Sequence, residues 1–131
     1  MINKFSNIST TDILQAAEQY GTPVYVYDED VIVKKCGEAL NMPNAFGLTV
    51  RYAMKANSNR TLLQIIDRQG LCIDASSLNE VRRAYIVGID PKRIMLSTQE
   101  VPENEDRAEL ERFILNGLTY NVGSLRQLYL L

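Results

Sequence analysis

From about residue 48 onward, short apolar runs alternate with longer segments in which apolar residues recur every three or four positions. The short runs have the length of buried β-strands, and the longer segments have the periodicity of amphipathic α-helices. Successive runs begin about 20 to 25 residues apart, which is the spacing of βα units in a parallel sheet. The pattern predicts strands at residues 49–55, 71–75, 93–97 and 118–122.

The helices predicted between these strands begin at polar capping residues and end at or just before glycines. An acidic first turn in the third helix suits the positive end of a helix dipole. A weak internal repeat supports the assignment, because Gly70–Asp74 and Gly117–Asn121 both follow a helix and share the pattern Gly-Leu-x-apolar-Asp/Asn. The first of the predicted helices begins at a Ser58 or Asn59 cap and ends at Gly70, the next two cover about residues 77–87 and 103–116, and a further one begins at Ser124.

Residues 1–47 have a different pattern, which predicts a helix-strand-helix segment. The capping sequence Thr10-Thr11-Asp12 precedes an apolar helical face, and Gly21 ends that helix. The predicted strand carries its proline near its start, where a sheet tolerates it. We expect helices at about residues 10–20 and 30–40, a strand at 22–28, and a separate α/β part of about four βα units at 48–131.

The composition is that of an ordinary globular protein. Hydrophobic residues make up 46% of the 131 positions and charged residues 23%, which is too apolar for disorder. The net charge of −2 gives no electrostatic reason to bind nucleic acid, and no apolar run approaches the roughly 20 residues that span a bilayer. The N-terminus lacks the apolar block of a signal peptide. We expect a cytoplasmic protein without nucleic-acid or membrane partners, in which Cys36 and Cys72 are reduced thiols.

The sequence contains no histidine. Its residues therefore cannot form a Ser-His-Asp or Cys-His triad, or the common zinc sites that use histidine. Proton transfer near neutral pH must fall to lysine, cysteine, tyrosine or a carboxylate, or to a group from outside the chain.

Lys55 is the first candidate for chemistry. Side chains alternate along the first predicted strand, so that Arg51, Ala53 and Lys55 share one face. Lys55 then lies at the carboxyl end of a parallel strand, which is the end that carries the active site in α/β barrels. A partly desolvated lysine there can act as an imine-forming amine. Taken alone, the position fits an ordinary solvated lysine better.

Asp74 is the second candidate. The same alternation puts Cys72, Asp74 and Ser76 on one face of the second strand, so the Asp74 carboxylate can lie beside Lys55 and orient it. A local role, in which Asp74 caps backbone amides at the start of a loop, fits its position equally well. Other polar residues at strand ends or in the loops that follow are Asn57, Ser97 and Asn121.

Four segments of the chain are similar to the motifs of a known enzyme family. They are YGTPVYVYD at residues 20–28, YAMKAN at 52–57, IDASSLNE at 73–80 and GIDPKRI at 88–94. The first resembles the opening of diaminopimelate decarboxylases. The others resemble the lysine motif, the second-strand motif and the connection to the third strand in alanine-racemase-like, fold-type III decarboxylases. These enzymes depend on pyridoxal phosphate, and the segments occur in the family's order.

This resemblance implies a pyridoxal phosphate site. Lys55 would hold the cofactor as a Schiff base, and Asp74 would lie beside it and help to position Lys55. Ala53 would leave room for the cofactor, and Asn57 and Ser76 would lie near the pocket. Loss of carbon dioxide from a bound amino acid leaves a carbanion that the cofactor delocalises, so the protein would contribute orientation and protonation.

The resemblance also implies a longer enzyme. A stacking histidine, a glycine-rich phosphate loop and a β-domain that completes a dimer are family features that this sequence does not show, and a full (β/α)8 barrel takes about 250 residues. We expect a partial TIM-type barrel from the N-terminal portion of a homodimeric decarboxylase, with little or no activity by itself. Its substrate would be meso-diaminopimelate. The alternatives are an enzyme for ornithine, arginine or another basic amino acid, and a non-catalytic half-barrel that self-associates.

Overall fold

The structure is a computed structural model, and it describes residues 7–129. Four strands form one parallel sheet in which the spatial order equals the order in the sequence, and this confirms the predicted α/β class. The strands are β1 (Arg51–Ala53), β2 (Cys72–Ala75), β3 (Ile94–Leu96) and β4 (Thr119–Tyr120). The helices are α1 (Thr10–Tyr20), α2 (Glu29–Leu40), α3 (Arg60–Arg68), α4 (Leu78–Ile86), α5 (Asn104–Leu115) and α6 (Leu125–Leu128).

One face of the sheet carries the hydrophobic core. Its central strands contribute Ile73 and Ala75 from β2, and Ile94 and Leu96 from β3, and all four side chains are fully buried. Helices α3, α4 and α5 supply the other half of the same cluster, as their apolar periodicity predicts. The residues that these three helices contribute to the cluster are Leu63, Ile66, Leu78, Val81, Ala84, Leu110 and Phe113, and α2 adds Cys36.

The opposite face of the sheet is only partly covered, and we call it the open face. It includes Arg51, Ala53, Cys72, Asp74 and Met95, all of intermediate burial. Ala53 is the register partner of Asp74, and Asp74 is the register partner of Met95. In a closed barrel the corresponding face lines the interior.

Side-chain caps set the starts of the helices. Of the two caps predicted for α3, Asn59 is the one that forms, because its Oδ1 accepts a hydrogen bond from Thr61 N at 2.9 Å. Helix α1 is capped by Ser9, one residue before the predicted cap, because Ser9 Oγ accepts from Asp12 N and the Asp12 carboxylate accepts from Ser9 N. The hydroxyl and the amide of Ser9 hold the pKa of the Asp12 carboxyl below its usual value.

The prediction of a strand at residues 22–28 is wrong. The segment has no regular secondary structure and pairs with no strand in residues 7–129, and Tyr25 is 88% exposed. Its alternating aromatic and β-branched residues favour an extended conformation, but a β-strand also needs a neighbour to complete its hydrogen bonds. The apolar side of α1 is likewise uncovered, with Ile13, Leu14 and Tyr20 exposed.

The strand predicted at residues 49–55 is shorter than expected, and this moves Lys55 off the sheet. Strand β1 ends at Ala53, and Met54–Ala56 form a 3-10 turn that contains Lys55. The turn places the Met54 side chain in the core, where it is fully buried, and leads the chain towards α3. The alternation of polar and apolar residues could not show that β1 ends at Ala53, because the last residue of a strand is set by its hydrogen bonds to the neighbouring strand.

The two faces of the sheet should respond differently to truncation. We expect Ile94→Ala to lower the free energy of unfolding by about 3 kcal/mol, because it opens a cavity in the core. The adjacent Met95→Ala on the open face should cost about 1 kcal/mol or less, because Met95 already contacts solvent. Urea denaturation followed by circular dichroism measures both changes. Equal losses would contradict the assignment of the two faces.

Candidate active site

The candidate site lies at the carboxyl edge of the sheet, above the open face. Ala53 and Asp74 end up side by side, because they are register partners on adjacent strands about 4.8 Å apart. Ala53 adds only a methyl group to this surface. Lys55 follows two residues later in the 3-10 turn, so β1 and β2 deliver a lysine and a carboxylate to the same edge.

Lys55 is exposed, and its amine makes no hydrogen bond or ion pair with any residue in the described part of the chain. By contrast, the amine of Lys35 forms an ion pair, with Nζ 2.6 Å from Glu38 Oε2. An amine without a partner is available to condense with a carbonyl group, which is the chemistry predicted for Lys55.

Asp74 is half-buried, and its Oδ1 atom is buried with no hydrogen-bond partner among residues 7–129. No backbone amide of that range donates to its side chain, so the local capping role left open by the sequence is not realised in the described part of the structure. A buried, unpaired carboxylate oxygen costs free energy unless a donor reaches it. Lys55 and Asp74 together therefore fit a ligand with two features. Its carbonyl carbon would react with the Lys55 amine, and a hydrogen-bond donor or a cationic group would pair with the Asp74 carboxylate.

Asn57 and Ser76 shape the loops that follow β1 and β2. Asn57 Oδ1 accepts from Asn59 N at 2.9 Å, and the Asn57 carbonyl accepts from the Tyr52 hydroxyl at 3.1 Å. Burial raises the pKa of the Tyr52 hydroxyl, so it remains a donor. Ser76 donates to Glu80 Oε2 through its amide at 2.6 Å and through its hydroxyl at 2.9 Å. Both residues thus take part in local structure through the groups named here.

The ends of β3 and β4 also meet at this edge. Asn121 Nδ2 donates to Ser97 Oγ at 3.3 Å, and Asn121 N continues the parallel ladder by donating to Leu96 O at 2.9 Å. These residues extend the polar edge beyond Asp74, as their positions at strand ends predict.

Gln127 holds two of the loops together, and the sequence analysis did not identify it. Its side chain is only 1% exposed. Gln127 Nε2 donates to Thr98 O at 2.7 Å and to Glu100 O at 2.9 Å, while Gln127 Oε1 accepts from Gly123 N at 2.7 Å. The loop after β3 is therefore fixed to the first turn of α6.

A longer internal repeat is the signal that could have revealed this contact. Residues 70–80 (GLCIDASSLNE) and 117–127 (GLTYNVGSLRQ) align without a gap, so that Gln127 corresponds to Glu80. Each side chain accepts a hydrogen bond from the backbone amide just before the helix cap, at 2.6 Å from Ser76 N and 2.7 Å from Gly123 N. Only the glutamine also has an NH₂ group, and this group bonds to the neighbouring loop.

The parallel βα units are those of an α/β domain of partial TIM-barrel type, and its carboxyl edge carries the unpaired amine of Lys55 and the unpaired Oδ1 of Asp74. Residues 30–131 match the family described as "Pyridoxal-dependent decarboxylase, pyridoxal binding domain". The chain belongs to this family. Its cofactor is therefore pyridoxal phosphate, an aldehyde, which fits the free amine of Lys55 and the orphaned oxygen of Asp74.

Individual relatives agree with the family assignment. The chain is 34% identical to the diaminopimelate decarboxylase of Methanothermobacter thermautotrophicus over 92% of its own length and 28% of the relative's. It is 32% identical to the enzyme of Buchnera aphidicola over 98% of its length and 29% of the relative's. The crystal structure of Helicobacter pylori diaminopimelate decarboxylase complexed with L-lysine superposes with a TM-score of 0.71 and 28% identity, over 90% of this chain and 29% of that one. The chain thus spans less than a third of the length of these relatives.

Exchanging the acid and amide side chains of the repeat tests the loop contact. We expect Gln127→Glu to lower the free energy of unfolding by about 2 kcal/mol, because it removes two donors and sets a carboxylate against two carbonyl oxygens. The matched control Glu80→Gln keeps an acceptor for Ser76 N and should cost less than about 1 kcal/mol. Urea denaturation measures both, and hydrogen exchange at residues 98–100 should accelerate only in Gln127→Glu. Equal effects of the two changes would argue against the loop contact.

Proposed function

We propose that this chain forms the lysine-bearing part of a pyridoxal-phosphate-dependent decarboxylase that converts meso-diaminopimelate to L-lysine. The observation that carries the proposal is the unpaired amine of Lys55 at the carboxyl edge of the sheet, near the orphaned carboxylate oxygen of Asp74. Both residues lie within the segment that matches the pyridoxal binding domain. The named relatives are diaminopimelate decarboxylases, and the L-lysine in the Helicobacter pylori structure is the product of this reaction.

Each site residue has a proposed part in this function. Lys55 holds the cofactor covalently through its amine, and Asp74 orients the bound group from the adjacent strand. Ala53 keeps the space beside Asp74 clear, because a larger side chain at its position would project into the same surface. Asn57 and Ser76 act indirectly by fixing the loops on either side of the pocket. When bound, the cofactor supplies the electron sink for the loss of carbon dioxide.

The activity belongs in this proposal to the whole enzyme. This chain spans 28% to 29% of the relatives' length, so groups that bind the phosphate and the far end of the substrate are assigned to the rest of such an enzyme. The 131 residues by themselves should show little or no turnover. We also keep the division of the chain into an N-terminal segment at 1–47 and the first half of a barrel at 48–131 as part of the proposal.

We further propose a cytoplasmic location and a homodimer. In the part of the chain that the structure describes, no helix combines the length and the apolar character needed to cross a bilayer. Among residues 7–129, no strand pairs with the outer edges of β1 and β4, and one face of the sheet is incompletely covered, and these features favour association with further protein.

Selective labelling of Lys55 tests the proposed cofactor attachment. We expect that pyridoxal phosphate followed by borohydride modifies Lys55 in preference to Lys34, Lys35 and Lys92, because only a pocket at the carboxyl edge would retain the cofactor there. Peptide mapping by mass spectrometry locates the label. Lys55→Arg should abolish the selective label, whereas the matched control Lys35→Arg should leave it unchanged. Uniform labelling of all lysines would refute a cofactor site in this chain.

The same assay, done on a full-length enzyme that contains this chain, separates the substrate alternatives, because the groups assigned to the far end of the substrate are then present. An amino acid that bound at the site would compete with Lys55 for the cofactor and should protect Lys55 from reduction. We expect meso-diaminopimelate to protect better than ornithine or arginine. Stronger protection by ornithine or arginine would assign the enzyme to another basic amino acid, and labelling without protection by any of them would favour the non-catalytic alternative.

Light scattering coupled to size-exclusion chromatography tests the proposed self-association. We expect the mass of a dimer, with dissociation on dilution, because unpaired strand edges and exposed apolar surface are available for contact. A monomer mass across the whole accessible concentration range would contradict the proposed homodimer.

A further inference from the structure

Arg51 occupies the open face next to Asp74 and has no role in the proposed function so far. Its register partner on β2 is Cys72, and Asp74 lies two residues further along the same strand. Both side chains point to the open face, because residues two apart on a strand project on the same side. From the strand spacing and the rise per residue, the Cα atoms of Arg51 and Asp74 are about 8 Å apart, which an arginine side chain spans.

Both residues carry a buried polar atom that lacks a partner. Arg51 Nη1 and Asp74 Oδ1 are buried, and neither makes a hydrogen bond with any residue that the structure describes. A charged group that loses contact with water without gaining a counter-charge is unfavourable, so both groups gain from meeting each other.

Asp74 is the carboxylate available to Arg51. The described strands contain no second acidic residue, so none of the other open-face residues offers a carboxylate. The nearby carboxylate of Glu80 is already held by the amide and the hydroxyl of Ser76.

We propose that Arg51 is a positioning residue that acts through Asp74. The two groups make no hydrogen bond or ion pair with each other in the structure. When further protein covers the open face, the guanidinium turns to the Asp74 carboxylate and holds one oxygen, which leaves the other oxygen directed at the carboxyl edge. The pair makes the open face electrically neutral before a ligand enters, so closing a barrel over it buries no net charge. This inference rests on the proposed cofactor site but concerns a residue that does not touch the cofactor.

The test is a double-mutant cycle read out at Lys55. We expect Arg51→Met to lower the rate of selective Lys55 labelling by pyridoxal phosphate and borohydride about tenfold, and Asp74→Asn to lower it similarly. The double variant Arg51→Met with Asp74→Asn should be no worse than Asp74→Asn alone, because Arg51 then has nothing to position. Arg51→Lys, which keeps the charge, should restore labelling to within about twofold of the wild type.

Other substitutions exclude a merely structural role. Cys72→Ala changes the immediate neighbour of Arg51 and should leave labelling unchanged. If Arg51→Met fails to fold, Arg51→Lys decides: retained labelling supports the proposal and lost labelling overturns it. Independent losses that multiply in the double variant would also overturn it.

A failure of the proposed function can be told apart from a failure of this inference. If wild-type Lys55 is not labelled selectively, the cofactor site is refuted, and the coupling is then measured from the urea midpoints of the same four proteins. Destabilisation by Arg51→Met that disappears in the Asp74→Asn background still supports the pairing. Additive shifts of the midpoint overturn it.

Discussion

The packing of helices α3, α4 and α5 against one face of the parallel sheet is the interaction on which the rest of this structure depends. Ile73 and Ala75 are buried in that contact, and the alternation of side chains along β2 then forces Asp74 onto the opposite face. A shift of one residue in the register would exchange the two sets, placing a carboxylate in the core. The hydrophobic contact therefore determines where the chemical groups are displayed, although it contains none of them.

Much of the fold could be predicted because its signals are local. Glycines that end helices, capping side chains such as Asn59, and the spacing of apolar runs identify all four βα units. The errors arise where the outcome depends on residues distant in the sequence. Residues 22–28 have the composition of a strand but no strand beside them, and the ladder of β1 stops at Ala53 because its pairing with β2 ends there.

The candidate site divides in the same way. Alternation along the strands brings Arg51, Ala53 and Asp74 to one face, and the resemblance to a decarboxylase family singles out Lys55. Neither source of information could show that the polar groups of Ser76 are held by Glu80, or that Gln127 reaches back to the loop after β3. Those contacts depend on how separate loops pack against each other. Gln127 can bond to the neighbouring loop because it carries an amide NH₂ group, which Glu80 lacks.

The four strands have the same order in the sheet as in the chain, and this affects how the sheet is built. Each βα unit docks against the unit made just before it, so no strand has to wait for a distant partner. Contacts between sequence neighbours form quickly, and domains begin to fold during synthesis from the N-terminal side. A ribosome can therefore extend this sheet one unit at a time at its β4 edge, and that growing edge is where the next strand of a barrel would be added.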